Sequence, residues 1–192
     1  LEPTLEPVLE PTLEPTLEPT AEPVLVSRQQ VITVASDASV NSAAPDQPQA
    51  GENGSTLTAG GPDGATTVIT FNVEGIGAGS VVSAQLVLTG SGDAAGTGGP
   101  LLVAPGVWFD EHGVTQSQVN STGLGNAGWV DYVQPGVETS VDVTGIVTAD
   151  GTISFLIPGT PDQVIGIVSR EGGAPAYLVL TIEEMTDPST AP

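Results

Sequence analysis

Proline recurs at every fourth position in the first 24 residues, and this spacing rules out a helix there. The segment consists of six copies of a tetrapeptide, most often Leu-Glu-Pro-Thr, that run from Leu1 to Val24. Each proline ring removes a backbone donor and clashes with the preceding turn of a helix. The segment is therefore predicted to be extended, in a polyproline II or strand-like conformation.

A strand-like repeat with a four-residue period has two different faces. Leucine and proline share one face, whereas glutamate shares the other with threonine or valine, because side chains alternate along a strand. The backbone donors alternate as well, so one edge lacks the proline N–H groups while the opposite edge keeps its donors and could pair with a sheet edge of a neighbouring subunit. The predicted contacts of this assembly arm are Leu1, Leu5, Leu9, Leu13, Leu17, Pro3, Pro7, Pro11, Pro15 and Pro19.

The alternative is a solvated linker, which acidic, proline-rich repeats usually form. In polyproline II the 24 residues span on the order of 75 Å. A domain built from the rest of the chain is roughly 40 Å across. The repeat is therefore long enough to leave its own domain, and we expect it to connect the domain to other copies of itself or to a cell-surface chain.

The rest of the chain has the pattern of an all-β domain. Val, Ile, Leu and Thr are abundant, the whole chain holds 25 Gly and 17 Pro, and no stretch has sustained helical periodicity. Strands that recur about every ten residues predict an antiparallel, jelly-roll-like β-sandwich. We divide the chain into an extended arm (1–24), a junction (25–30), the sandwich (31–184) and a linker-like tail (185–192). The predicted strands are residues 31–35, 66–73, 81–89, 101–108, 128–133, 140–143, 152–157, 163–169 and 176–183.

Two segments, residues 41–64 and 91–100, are predicted to be surface loops because they are rich in glycine and polar turn residues. In the strand at 81–89, alternation predicts that Val82 faces inward together with Ala84. The predicted core consists of Ile69, Phe71, Leu86, Leu88, Phe155, Ile157, Leu178 and Leu180.

The charge balance excludes several classes of partner. The chain has 23 acidic residues against two basic ones, Arg28 and Arg170, which gives a net charge of −21. Nucleic acids and anionic membranes would repel such a surface, because binding them requires Lys and Arg. No apolar run approaches the ~18 residues of a membrane span. We therefore expect no nucleic-acid partner and no membrane insertion, and the Thr- and Pro-rich ends favour an exported, cell-surface protein.

No cofactor is expected. Cysteine is absent and His112 is the single histidine, which excludes zinc sites built from these residues. Calcium is left open, because Asp37, Asp46, Glu52, Asn53 and Asp63 supply oxygens in and near the first long loop, although not at EF-hand spacing. Otherwise these side chains are expected to be solvated.

The order of several short motifs resembles the DNRLRE domain family, an exported β-sandwich module similar to some carbohydrate-binding modules. The resemblance covers about residues 31–183. It implies a β-sandwich that binds or scaffolds rather than catalyses. The motifs that carry it are residues 35–40, 69–73, 79–88, 107–115, 141–144, 169–171 and 174–179.

No catalytic pair is predicted, and we do not expect an enzyme. Asp110 and Glu111 are adjacent, so on a strand their side chains point to opposite faces and cannot oppose each other across a bond. His112 has no second histidine or cysteine with which to build a metal site or triad. We expect a solvated loop tip.

Arg170 has two interpretations. As a ligand-binding residue, its guanidinium would clamp sugar hydroxyls or a carboxylate. As a structural residue, it would form an ion pair with Asp142 or Glu171, and this interpretation is favoured because the arginine lies amid apolar strand sequence. A structural role is also expected for Trp108.

Trp129 and Tyr132 are the aromatic residues expected to be exposed, since they lie beside glycine-rich sequence. Two functions follow. The leading hypothesis is a non-catalytic subunit of an extracellular filament or surface layer, assembled through the arm. The second is a carbohydrate-binding module on a proline-rich stalk, with Trp129, Tyr132 or Arg170 in contact with a polysaccharide.

Overall fold

The computed structural model describes residues 22–47, 54–92 and 94–186. Within them the chain is all-β, with one short helix and two antiparallel sheets packed together, so the predicted all-β fold with two packed sheets is confirmed. Most of the predicted arm, including its ten leucine and proline contacts, and most of the predicted tail lie outside the described residues. The elements are β1 (Val24–Thr33), β2 (Ser36–Asn41), β3 (Thr56–Gly60), β4 (Ala65–Val73), β5 (Ser80–Thr89), β6 (Gly96–Pro105), α1 (Gln116–Ser121), β7 (Gly125–Val133), β8 (Glu138–Asp142), β9 (Gly151–Ile157), β10 (Val164–Val168) and β11 (Tyr177–Thr186).

The first sheet has four strands in the order β1-β11-β5-β8, so β1 is one of its edges. The second sheet has seven strands, with the path β10-β3-β4-β9-β6-β7 and with β2 paired to β4. The inner faces of the two sheets form the main core. All eight predicted core residues lie there and are fully buried, and the rings of Phe71 and Phe155 meet edge to face at 6.2 Å.

A second, smaller core covers the outer face of the second sheet. Phe109, Val114 and Val119, from the segment between β6 and β7, pack with Val68 and Leu156. The segment includes α1, which was not predicted because six residues are too few to establish a helical period. The helix does carry a start signal, a capping box in which Thr115 and Gln118 each bond to the other's backbone N–H.

The first strand begins earlier than the predicted strand at 31–35 and occupies the predicted junction at 25–30, and the last strand extends two residues into the predicted tail. Strand β1 begins at Val24 and pairs with β11 along its whole length, as far as Thr186. The side chains at this end of the ribbon are exposed on both faces, so they lack the alternation that marks a half-buried strand.

The predicted loops at 41–64 and 91–100 were also partly wrong. Strand β3 lies in the first and the beginning of β6 lies in the second. A Cβ on Gly98 would lie 2.4 Å from Cγ1 of Val130, and Gly99 has φ +83°, so these glycines permit a close approach between strands rather than a surface loop.

A β-bulge corrects the predicted orientation of Val82. Thr181 pairs with Ser83 and Ile182 with Val81, which leaves Val82 as the extra residue of β5. Val82 is therefore 45% exposed, whereas Val81 packs against the core.

Candidate functional site: the free edge of β1 and a charged cluster at Arg170

Strand β1 presents an unpaired backbone edge. Val34 N–H donates to the carbonyl of Ala176 at 3.3 Å, in the same register that pairs β1 with β11. Because antiparallel ladders alternate, the even-numbered residues of β1 bond to β11 and the odd-numbered ones direct their N–H and C=O groups the other way. No described strand lies on that side. The backbone groups that no described strand pairs belong to Leu25, Ser27, Gln29, Val31 and Thr33.

The two faces of β1 differ. Ile32 is buried in the core, whereas Val31 is 61% exposed on the outer face. Beyond the last β5 partner, Ser80, the β1–β11 pair continues as a two-stranded ribbon. The exposed large apolar side chains of this ribbon are Val24, Leu25, Val26 and Met185.

A shallow groove of about 370 Å³ runs beside the free edge of β1. One wall consists of residues 30–35 and the other contains Asn72 and Glu74, at the end of β4. Gln30 Nε2 donates to the carbonyl of Glu74 at 2.6 Å, which closes one end. Arg28 bonds to the carbonyl of Gly75 on the same inner face.

Arg170 lies in a cluster of carboxylates at the end of β10. Its Nη2 is 2.7 Å and 2.9 Å from the two carboxylate oxygens of Glu111 and 3.1 Å from Oε1 of Glu171. Its main-chain N–H donates to Oδ2 of Asp37 at 2.6 Å. Desolvation lowers the pKa of Arg170, but the charges of Glu111 and Glu171 outweigh it and raise that pKa above its usual value. The ion pair with Glu171 was predicted, whereas Glu111 and Asp37 were not found.

Asp37 is the buried member of this cluster, with 5% of its surface exposed. Its pKa is raised to about 6, and desolvation by burial is the largest cause. The charges of Glu171 and Glu111 also raise this pKa, whereas the hydrogen bond from the Arg170 N–H lowers it. Asp37 also lines a cavity of about 340 Å³ between β2 and β3, together with Glu111 and Glu171.

Asp142 was one of the two ion-pair partners predicted for Arg170, but the structure does not pair them. It ends β8, opposite Gln85 of the first sheet, and its Oδ1 accepts hydrogen bonds from the N–H and hydroxyl of Thr144 at 2.9 Å and 2.6 Å. These bonds lower the pKa of Asp142. Its structural role is thus to hold the turn that follows β8.

Trp129 and Tyr132 are 53% and 55% exposed, as expected, and lie on the edge strand β7. They do not converge with Arg170. Tyr132 lies opposite Thr97, whose N–H donates to Oε1 of Gln163, just before β10 begins. Arg170 follows the other end of β10. Trp108, for which a structural role was expected, is 49% exposed, whereas its neighbour Phe109 is buried in the second core.

The other predicted positions remain separate. Asp110 and His112 are exposed, in agreement with the loop tip, but the side chain of Glu111 is largely buried against Arg170. Of the calcium candidates, Asp37 contacts Arg170 and Asp46 accepts from the hydroxyl of Ser117. Within residues 22–47, 54–92 and 94–186, no group of three or more acidic or histidine side chains is arranged to hold a metal. Glu52 and Asn53 lie outside the described residues, whereas Asp63 lies within them.

No helix among the described residues is long and apolar enough to cross a membrane. Comparison with known proteins finds no family model that matches this chain and no matching curated protein. The resemblance to the DNRLRE domain therefore stays a prediction from the motifs.

Proposed function

We propose that this chain is a non-catalytic structural subunit, exported from the cell, that joins other copies of itself into a filament or surface layer through its N-terminal repeat. The observation that carries the proposal is the position of β1. The repeat continues directly into this strand, which forms one edge of the first sheet, and no described strand pairs with the outward row of its backbone groups. Free sheet edges are the surfaces on which strands of other chains add.

The exposed apolar residues support the same function. Val24, Leu25, Val26 and Met185 cluster where the repeat joins the domain. Apolar side chains grouped at one end of a domain are typical of a contact surface, whereas scattered ones need no explanation. An apolar contact needs no ion pairs between the copies. This suits a chain with a net charge of −21, which has few cations to pair with the carboxylates of another copy.

Sedimentation velocity of the full chain and of a variant lacking residues 1–20 tests this function. The full chain is expected to form concentration-dependent oligomers, and the shortened chain is expected to sediment as a monomer. The thermal unfolding of both is the control for folding. A shortened chain that oligomerises like the full one would contradict the proposal.

Carbohydrate binding is the second candidate function, and the exposure of Trp129 and Tyr132 on one edge strand favours it. Exposed aromatic rings can stack on sugars through their apolar faces. Under this function, Trp129→Ala abolishes polysaccharide binding and the removal of residues 1–20 does not. The nearby aromatic residue Phe109 is unsuitable for this test, because its ring is buried in the second core and Phe109→Ala would destabilise the fold.

A further inference from the structure

We propose that the free edge of β1, with the groove beside it, binds the tetrapeptide repeat of a second copy as an added strand antiparallel to β1. The inference rests on the proposed function and names the acceptor surface for the arm. The contact joins two different surfaces, the repeat of one copy and β1 of the next. Such a head-to-tail contact generates open chains of subunits unless a rotation closes them into a ring.

The backbone donors decide which edge of the repeat can pair. In an extended strand, the proline nitrogens of the repeat all lie on one edge, together with the N–H groups of the leucines. The opposite edge has an N–H at every glutamate and every threonine or valine. That complete edge matches the free groups of Leu25, Ser27, Gln29, Val31 and Thr33 on β1.

The side chains decide the direction of the added strand. Directly opposite residues of an antiparallel pair have their side chains on the same face. Glutamate and threonine of the repeat would therefore lie on the outer face with Val31, and leucine and proline would lie on the inner face, against the groove at Ile32 and Asn72. Parallel pairing would reverse this and place the glutamates beside Glu74, where like charges repel.

A second copy is a better source of the strand than the same chain. To pair with its own β1, the repeat would have to reverse direction at Val24, where it joins the strand. Tight hairpin turns require residues that adopt positive φ, above all Gly, Asn and Asp. The first 24 residues contain none of these.

The added strand also explains why proline lies at fixed spacing. After addition, the outward edge carries the leucine and proline residues, and every second one has no N–H. A strand edge interrupted by proline is a poor template for a further strand. Each β1 edge would thus bind one added strand, and no further strand would pair with that strand.

Disulfide trapping tests the inference in the full chain, which has no cysteine of its own. Val31→Cys is mixed, after reduction, with either Thr12→Cys or Glu14→Cys, because allowed registers differ by two residues. Oxidation is expected to give a disulfide between the two variants, identified by mass spectrometry of the linked peptides. Opposed residues of a hydrogen-bonded pair are about 5.5 Å apart at Cα, which suits a disulfide.

Leu13→Cys is the matched control, since it lies in the same repeat but on the opposite face. We expect its yield with Val31→Cys to be several-fold lower. An equal or higher yield from Leu13→Cys would overturn the antiparallel strand, and a dominant Val31–Val31 disulfide would show that β1 pairs with β1 instead. If the variants oligomerise but none links to Val31→Cys, the acceptor is elsewhere and the proposed function survives. If the unmodified full chain does not oligomerise, the proposed function fails with it.

Discussion

The main-chain N–H of Arg170 donates to the buried carboxylate of Asp37 at 2.6 Å. This bond joins the end of β10 to β2, 133 positions apart in the sequence. The side chain of Arg170 turns to Glu111 and Glu171 instead. One residue therefore connects β2, the segment after β6 and the end of β10, through its backbone on one side and its guanidinium on the other.

Replacing Asp37 by Asn is expected to change how stability depends on pH. The pKa of Asp37 in the folded chain is about 6, against an ordinary value of 3.8. The folded state therefore holds this proton more tightly, and its contribution to stability, full below about 4, is lost as the pH rises through 6. The free energy of unfolding of Asp37→Asn relative to the original chain should rise by about 2 kcal/mol between pH 4 and pH 8.

Chemical denaturation at the two pH values measures this difference, and the titration of groups distant from Asp37 cancels between the two chains. The amide oxygen of asparagine can still accept from the Arg170 N–H, so the variant should remain folded. A relative stability that is the same at pH 4 and pH 8 would contradict the desolvation of Asp37.

Removing the guanidinium of Arg170 is expected to be moderately destabilising. Arg170→Ala leaves the largely buried carboxylate of Glu111 without its cation. Because the arginine side chain is 42% exposed, we expect a loss of only about 1 kcal/mol in the free energy of unfolding. Adding Glu111→Gln should recover part of that loss, and the double-mutant cycle measures the coupling. Strictly additive effects would argue that the pair contributes nothing.

The bulge in β5 predicts opposite results for two adjacent valines. Val81→Ala removes a side chain that packs against the core and should cost about 1–2 kcal/mol in the free energy of unfolding. Val82→Ala changes an exposed side chain and should stay within about 0.5 kcal/mol. Thermal or urea unfolding distinguishes them. A greater loss at Val82 would mean that the strand keeps the unbroken alternation.

The alternating strands were predictable because β4 and β5 carry large apolar residues at every second position, on the face that forms the main core. Ile69 and Phe71 of β4, like Leu86 and Leu88 of β5, were assigned to the core correctly for this reason. The bulge at Val82 was not predictable, because it depends on the register with β11. The strand in residues 96–100 was missed because buried glycines look like loop residues when the strand that contacts them is unknown.

The charged cluster was predictable only where its members are close in sequence. Glu171 follows Arg170 directly and was proposed as its partner, whereas Glu111 and Asp37 are brought to it by the fold of the second sheet. The free edge of β1 could not be found from the sequence at all. Its existence depends on the strand order, which places β11 on one side of β1 and no described strand on the other.

Salt is expected to promote association of this chain. Copies with a net charge of −21 repel each other at low ionic strength. The Debye length falls from about 30 Å at 10 mM to about 3 Å at 1 M, so the repulsion is largely screened in high salt. The weight-average sedimentation coefficient should therefore rise with sodium chloride. A fall would indicate that attractive ion pairs hold the copies together.

Negative-stain electron microscopy of the purified full chain, in moderate salt and over a range of concentrations, tests the central claim most directly. Copies that join head to tail through the repeat and the β1 edge should form fibres or extended layers. A shortened chain lacking residues 1–20 should show isolated particles on the same grids. A full chain that remains as single, separate particles at every concentration and ionic strength would contradict the claim.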